Sequence, residues 1–420
     1  MKRFYFIAAM AILAAGCQKT EIQNEVQTPI GFSTEVGKQT RAIVDNNQYP
    51  EGQNAQKFSV FAYGWEGSTP NEDPVMDDVE IAPATRTING VETTVWASND
   101  GISYYWPNDP NTKLNFYAYS PSINNSEVAK HKTLNGKVTH RESETSVTEN
   151  GVTTTIPAGF VLSDYKHTNQ YVDFMVATPV KQATYSSTDP QSLTSTPEPS
   201  GTVPVVFNHQ MTQVLFKVTT DNVYPGVTFT VEEITLKNIQ YEGEYTHNTL
   251  TPSYSNTDSK FTHGAWETET TQLYEYDVFP ADKSKGAIIT NPLDNTQNLE
   301  AYYPLAYSTT DTEVKTLTTT GVTMIPQNMV KCDIAQKAGE DNLATENTTA
   351  QMFMIKYSIA GQGVAEETVT KHVPFFAKDA ANAVNWSPNQ KITYTVKIGL
   401  KEILFEPTVA DWTETTGTEY

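Results

Sequence analysis

Ile392-Thr393-Tyr394-Thr395-Val396-Lys397-Ile398-Gly399-Leu400 is the stretch that decides the fold class. Apolar side chains stand at every second position, with Thr393, Thr395 and Lys397 between them and Lys401 beyond. Side chains alternate across a strand, so this pattern gives one apolar and one polar face, as in an antiparallel sheet packed on one side. Working outward, the same period recurs in Phe353, Ile355, Tyr357 and Ile359, in Val214, Phe216 and Val218, and in Val227, Phe229 and Val231. Toward the N-terminus it recurs in Phe58 and Val60 and in Ile30, Phe32 and Val36, while 114–119 and 172–176 read as further strands. Helical periodicity is nearly absent, a short helical turn near Ala377 to Ala383 excepted. The expectation is an all-β protein built of antiparallel sandwiches.

Composition agrees. Thr, Ser, Asn, Tyr and Val are abundant, and the 420 residues suffice for two medium domains. The boundary falls in the Ser/Thr/Pro-rich stretch from Ala183 to Pro204, whose composition is that of a linker or long loop. The polar stretch from Ser122 to Thr155 reads as a surface excursion of the first domain. With 28 Lys+Arg against 49 Asp+Glu the formal net charge is −21. So acidic a chain lacks the basic footprint that nucleic acid requires, and the charge serves solubility.

Lys2 and Arg3 precede an apolar run from Phe4 to Ala15, too short to span a hydrocarbon core and flanked like a secretion signal. Leu13-Ala14-Ala15-Gly16-Cys17 resembles a bacterial lipobox, with Cys17 as the lipidation site. If Cys17 is acylated, Cys332 is the sole free thiol and no intramolecular disulfide is possible.

Motifs of catalysis are missing. His131, His140, His167, His209, His247, His263 and His372 show no metal-ligand spacing, and there is no nucleophile elbow or phosphate-binding loop. No metal and no cofactor are expected, and no catalytic residue is assigned. His209 reads as a hydrogen-bonding side chain, and Trp106, Trp386 and Trp412 as core or edge plugs. A glycosidase stays open as an alternative, since its two carboxylates need share no motif.

Several segments together resemble the fimbrillin family, subunits of type V pili. They are the lipobox, Ile30-Gly31-Phe32, Thr40-Arg41-Ala42, and Trp106 with Leu114 to Pro121. Asp173 to Ala177, Val205 to His209 with Val214 to Val218, Ile325-Pro326-Gln327, Trp386 to Tyr394, and Val409 to Trp412 complete the series. The resemblance implies two transthyretin-like β-sandwiches in series, spanning 42–200 and 201–420, after a signal peptide (1–17) and a propeptide (18–41). It implies export to the outer membrane as a lipoprotein and cleavage between Arg41 and Ala42 by an arginine-specific maturation protease. Assembly into a surface fimbria by donor-strand exchange with other pilus subunits would follow. Loss of the strand carrying Ile30, Phe32 and Val36 would leave a groove with unpaired backbone groups, a template for another subunit's strand.

The tail from Thr413 to Tyr420 is polar and lacks the alternating knobs of a donor strand, which favours a tip or accessory subunit as much as a stalk. A second reading is a permanently anchored outer-membrane lipoprotein that binds a glycan or host protein through aromatics such as Trp65 or Tyr104 and Tyr105. A ligand on host or bacterial surfaces is compatible with both.

Overall fold

The computed structural model describes residues 29–36, 57–66, 69–88, 91–107, 112–123, 134–149, 151–156, 158–170, 172–183, 202–220, 227–247, 263–279, 287–289, 315–316, 321–334, 349–361, 364–378, 380–399 and 403–411. Its elements are strands. The first are β1 (Gly31–Val36), β2 (Phe58–Glu66), β3 (Thr69–Ile88), β4 (Val91–Ser98) and β5 (Lys113–Ser120). Then come β6 (Lys137–Arg141), β7 (Thr145–Glu149), β8 (Val152–Ile156), β9 (Gly159–Lys166), β10 (Met175–Ala177) and β11 (Val180–Ala183). Further along are β12 (Thr202–His209), β13 (Thr212–Thr220), β14 (Val227–Gln240), β15 (Glu242–His247), β16 (Ala265–Thr268), β17 (Leu273–Phe279) and β18 (Ala287–Ile289). The remainder are β19 (Lys315–Thr316), β20 (Val322–Met324), β21 (Met352–Gly361), β22 (Val364–Pro374), β23 (Gln390–Ile398) and β24 (Ile403–Asp411).

The largest sheet runs β10-β12-β1-β4-β3-β2-β5-β11, and β10 also pairs with β5. The circuit β10, β12, β1, β4, β3, β2, β5 is therefore closed into a ring. Alternation separates two environments around it. Phe58, Val60 and Ala62 of β2, Leu114, Phe116 and Ala118 of β5, and Val203, Val205 and Phe207 of β12 fill one core with Ile30 and Phe32. Phe61, Tyr63, Tyr117, Tyr119 and Val176 point the other way, into a second core with Phe160, Leu162 and Tyr245. That second core lies beneath the sheet β16-β15-β9-β6. A strand buried on both faces carries no polar row, which explains the aromatic run of β5.

The last core is a sandwich of two facing sheets, one containing β13, β23 and β24, the other β14, β17, β21 and β22. Val214, Phe216, Val218, Ile392, Tyr394, Val396 and Ile398 meet Phe229, Val231, Ile234, Phe353, Ile355 and Tyr357 across it. The inward rows are those the alternation predicts. In β14 the register slips between Val231 and Glu233, so that Ile234 and Leu236 resume the inward row.

Strands on either side of residue 201 pair with one another: β1 with β12, and β9 with β15. Two expectations change. Within Ser122 to Thr155, β6 joins a sheet and buries Val138, whereas β7 and β8 form a separate two-stranded hairpin. Near Ala377 a single turn remains, closed by Ala380 N–H donating to the Ala377 carbonyl at 3.1 Å. The Ala183 to Pro204 stretch lies largely outside the described residues. Among the described residues no helix is long and apolar enough to cross a membrane.

Candidate strand-exchange groove

β1 is the stave that closes the ring. On one side it pairs with β12 in parallel, from Gly31 opposite Thr202 to Val36 opposite Phe207. On the other its ladder pairing with β4 is, among the described residues, the single antiparallel pair Phe32 with Trp96. Its entry is pinned by Ile30 N–H donating to the Tyr104 carbonyl at 2.9 Å and by a bridge between Pro29 and Tyr105. Parallel ladders are slightly less stable per residue than antiparallel ones, and buried side chains add to the hold on β1.

Those side chains are aromatic. Phe32 is 2% exposed and meets Phe58 and Phe116 edge to face, both with ring centres 6.0 Å away. Phe58 in turn contacts Phe207 and Trp96, at 5.4 Å each, and Trp106 contacts Phe116 at 5.7 Å. Edge-to-face pairs of this kind contribute roughly 0.5–1.5 kcal/mol each beyond their area burial. Ile30 is also buried. Ile30 and Phe32 thus plug a box whose walls come from β2, β4, β5 and β12. Lifting β1 out would expose that box and an unpaired edge of β12 together.

Of the other site residues expected from sequence, Cys17, Arg41 and Ala42 lie outside the described residues, as does Trp412. Val36 is placed by its backbone register alone, opposite Phe207. Tyr104 and Tyr105 sit at the mouth of the slot. Tyr105 is exposed, whereas the Tyr104 hydroxyl donates to Asp100 at 2.9 Å, and burial with that carboxylate pushes its pKa to about 12. Trp106 and Trp386 are buried core plugs, and Trp386 Nε1–H donates to the Tyr394 hydroxyl at 3.0 Å.

His209, at the end of β12, is fully buried with its Nδ1 2.7 Å from Asp173 Oδ2. His167 is held from two sides. Its Nε2–H donates to the Thr323 carbonyl at 2.5 Å, and in the neutral ring that burial favours, Nδ1 accepts from the Tyr165 hydroxyl at 2.7 Å. Burial lowers its pKa to about 4, partly countered by the bond to Thr323. Gln327, read only as part of a motif, is a splice: its side-chain amide bonds both ways with the Gln240 backbone while its own backbone pairs with Trp386.

A second concavity, of about 420 Å³, is bounded by Tyr63, Asp77, Asp78, His140 and Glu142. Glu142 and Asp78 are braced from within: Asn115 and the Tyr117 hydroxyl donate to Glu142 at 2.8 and 2.9 Å, and Tyr119 donates to Asp78. His140 stacks on Tyr117 at 3.9 Å, and burial pulls its pKa well below the usual histidine range. These carboxylates serve the second core. Among the described residues no group of three or more His, Cys, Asp or Glu could hold a metal ion.

A family model described as fimbrillin-like matches residues 40–412. Among solved structures, a fimbrial protein from Bacteroides vulgatus is 15% identical, with 92% of this chain and 100% of that one covered, at a TM-score of 0.46. The tip fimbrial protein Mfa3 from Porphyromonas gingivalis, truncated at its C-terminus, is 12% identical, with coverage of 92% and 100% and a TM-score of 0.28. No curated protein matches this chain.

Proposed function

Because this chain belongs to the fimbrillin-like family of fimbrial subunits, we propose that it is a structural and adhesive subunit of a cell-surface fimbria that polymerises by strand exchange. It is exported as a lipoprotein acylated at Cys17 in the outer membrane and matured by cleavage between Arg41 and Ala42. Cleavage releases the lipid together with Ile30, Phe32 and Val36, and a strand of another subunit enters the vacated slot. The single observation that carries this reading is the position of β1. It closes the ring between β12 and β4 with two buried apolar plugs, yet among the described residues it is tied to β4 through one ladder pair only. Arg41 follows β1 in the chain, so one cut severs the stave from everything after it.

The chain carries its own counterpart to the lost strand. Ile30-Gly31-Phe32-Ser33-Thr34-Glu35-Val36 and Ile403-Leu404-Phe405-Glu406-Pro407-Thr408-Val409 share Ile, Phe and Val at the same spacing. The second segment is β24, the outermost strand of its sheet, paired with β23 alone among the described residues. Val409 is 44% exposed. β24 thus supplies the apolar knobs that the tail from Thr413 to Tyr420 lacks, and it supports a role as donor as well as acceptor. Refilling the slot restores both ladder bonds and roughly 1.5–3 kcal/mol for each large side chain buried. Such a joint opens only by unfolding, hence slowly.

The test is an Arg41→Ala variant. Cells making the wild-type chain should yield a ladder of heat-resistant oligomers, and the variant only monomer. A variant that still forms the ladder would overturn the proposal in favour of a permanently anchored lipoprotein.

A further inference from the structure

Thr34 is the flaw in the fit of β1. The unbroken parallel register sets Phe32 beside Val203, Thr34 beside Val205 and Val36 beside Phe207. Val203, Val205 and Phe207 all belong to the apolar core of the ring. Thr34 therefore stands in the inward row; the residue is half-buried, and its Oγ1 is buried with no hydrogen-bond partner among the described residues. A hydroxyl without a partner in an apolar site disfavours the state that buries it, whereas a methyl there does not. Val has the same β-branched shape and would fill the position without that penalty. Past Phe32, moreover, β1 has a strand partner on one side only among the described residues.

We propose that Thr34 sets the specificity of the slot by holding β1 below the affinity of the strand that replaces it. The replacing strand is then an extended segment of a second copy with apolar side chains at three successive inward positions, those of Ile30, Phe32 and Thr34. The inference rests on the strand-exchange reading above. In β24 the residue at the place of Thr34 is Pro407, apolar and without a hydroxyl. The one-sided pairing beyond Phe32 is the edge setting in which a sheet accepts proline.

The experiment uses the full chain, as wild type, Thr34→Val and Thr34→Ser. Each is cut with an arginine-specific protease, and the departure of the fragment ending at Arg41 is followed by size-exclusion chromatography with mass spectrometry. Uncut samples are melted in parallel. The fragment should leave Thr34→Val about tenfold more slowly than wild type, equivalent to about 1.4 kcal/mol. Thr34→Ser, which keeps the hydroxyl, should not be retained longer than wild type, and uncut Thr34→Val should melt highest. Equal release from wild type and Thr34→Val, or retention of Thr34→Ser as long as Thr34→Val, would overturn the role of Thr34 and leave strand exchange standing. A fragment that stays bound in every chain, even with synthetic peptide 403–409 in excess, would overturn strand exchange itself.

Discussion

Phe32→Ala in the uncut chain removes the ring that plugs the slot. Phe32 is almost wholly buried, between Phe58 and Phe116, with Trp96 as its cross-strand partner. Truncating a buried Phe to Ala costs about 3–5 kcal/mol, the upper end applying where the walls cannot collapse inward. Here the walls are four strands of a closed ring, so a value near the upper end is expected. For units of 150–250 residues each kcal/mol lowers the melting temperature by roughly 2–4 °C, so the loss should be about 10 °C or more. The assay is calorimetry, because the chain holds separate cores and one spectroscopic midpoint would blend them. The transition of the ring should move down, whereas that of the sandwich around Phe216, Phe353 and Tyr394 should stay in place. A loss below about 1 kcal/mol would refute the claim that Phe32 closes the ring core. Once the cut fragment has left, the Phe32→Ala and wild-type proteins share one sequence and should behave identically.

Three further outcomes are expected. The unfolded chain binds a proton at His167 near its ordinary 6.5, the folded chain only near 4, so unfolding takes up a proton between those values. Stability is therefore full above about pH 6.5 and falls by up to about 3 kcal/mol as pH drops toward 4, and Thr, Gln or another neutral replacement should flatten that slope in acid melts. Asp173→Ala removes the carboxylate beside the buried His209 Nδ1 and should cost about 1–3 kcal/mol, read in the melting transition of the ring. Trp386→Phe removes the bond to the Tyr394 hydroxyl and should lower the sandwich transition alone, by about 1–2 kcal/mol.

Much of the fold is legible in local pattern. Ile392, Tyr394, Val396 and Ile398 face inward as their spacing requires, because β23 has a single buried face. β3 is not legible, since Pro70, Pro74 and Pro83 interrupt any strand pattern. Its irregular register against β2 and the left-handed Asp78 (φ 50) absorb those breaks. In β2 and β5 the sequence marks one apolar face, but both are buried, and only the two-sheet packing assigns Phe61 and Tyr117 to their own core. The segment from Val172 yields a strand only over Met175–Ala177, with Asp173 diverted to His209.

At the candidate site, Ile30 and Phe32 could be read directly, as alternation in a short strand ahead of an arginine. The parallel pairing of β1 with β12 could not. It joins residues some 170 positions apart, and no local signal encodes a long-range register. Thr34 is hidden for the same reason: only that register shows that its hydroxyl faces the core.

The most direct test of the account is the N-terminal residue and lipid status of the protein isolated from the cell surface, read by intact-mass and terminal-peptide mass spectrometry. Ala42 at the N-terminus and no lipid are expected, because β1 and its anchor have been discarded. A surface protein that begins at an acylated Cys17 and still contains Ile30 to Val36 would contradict it.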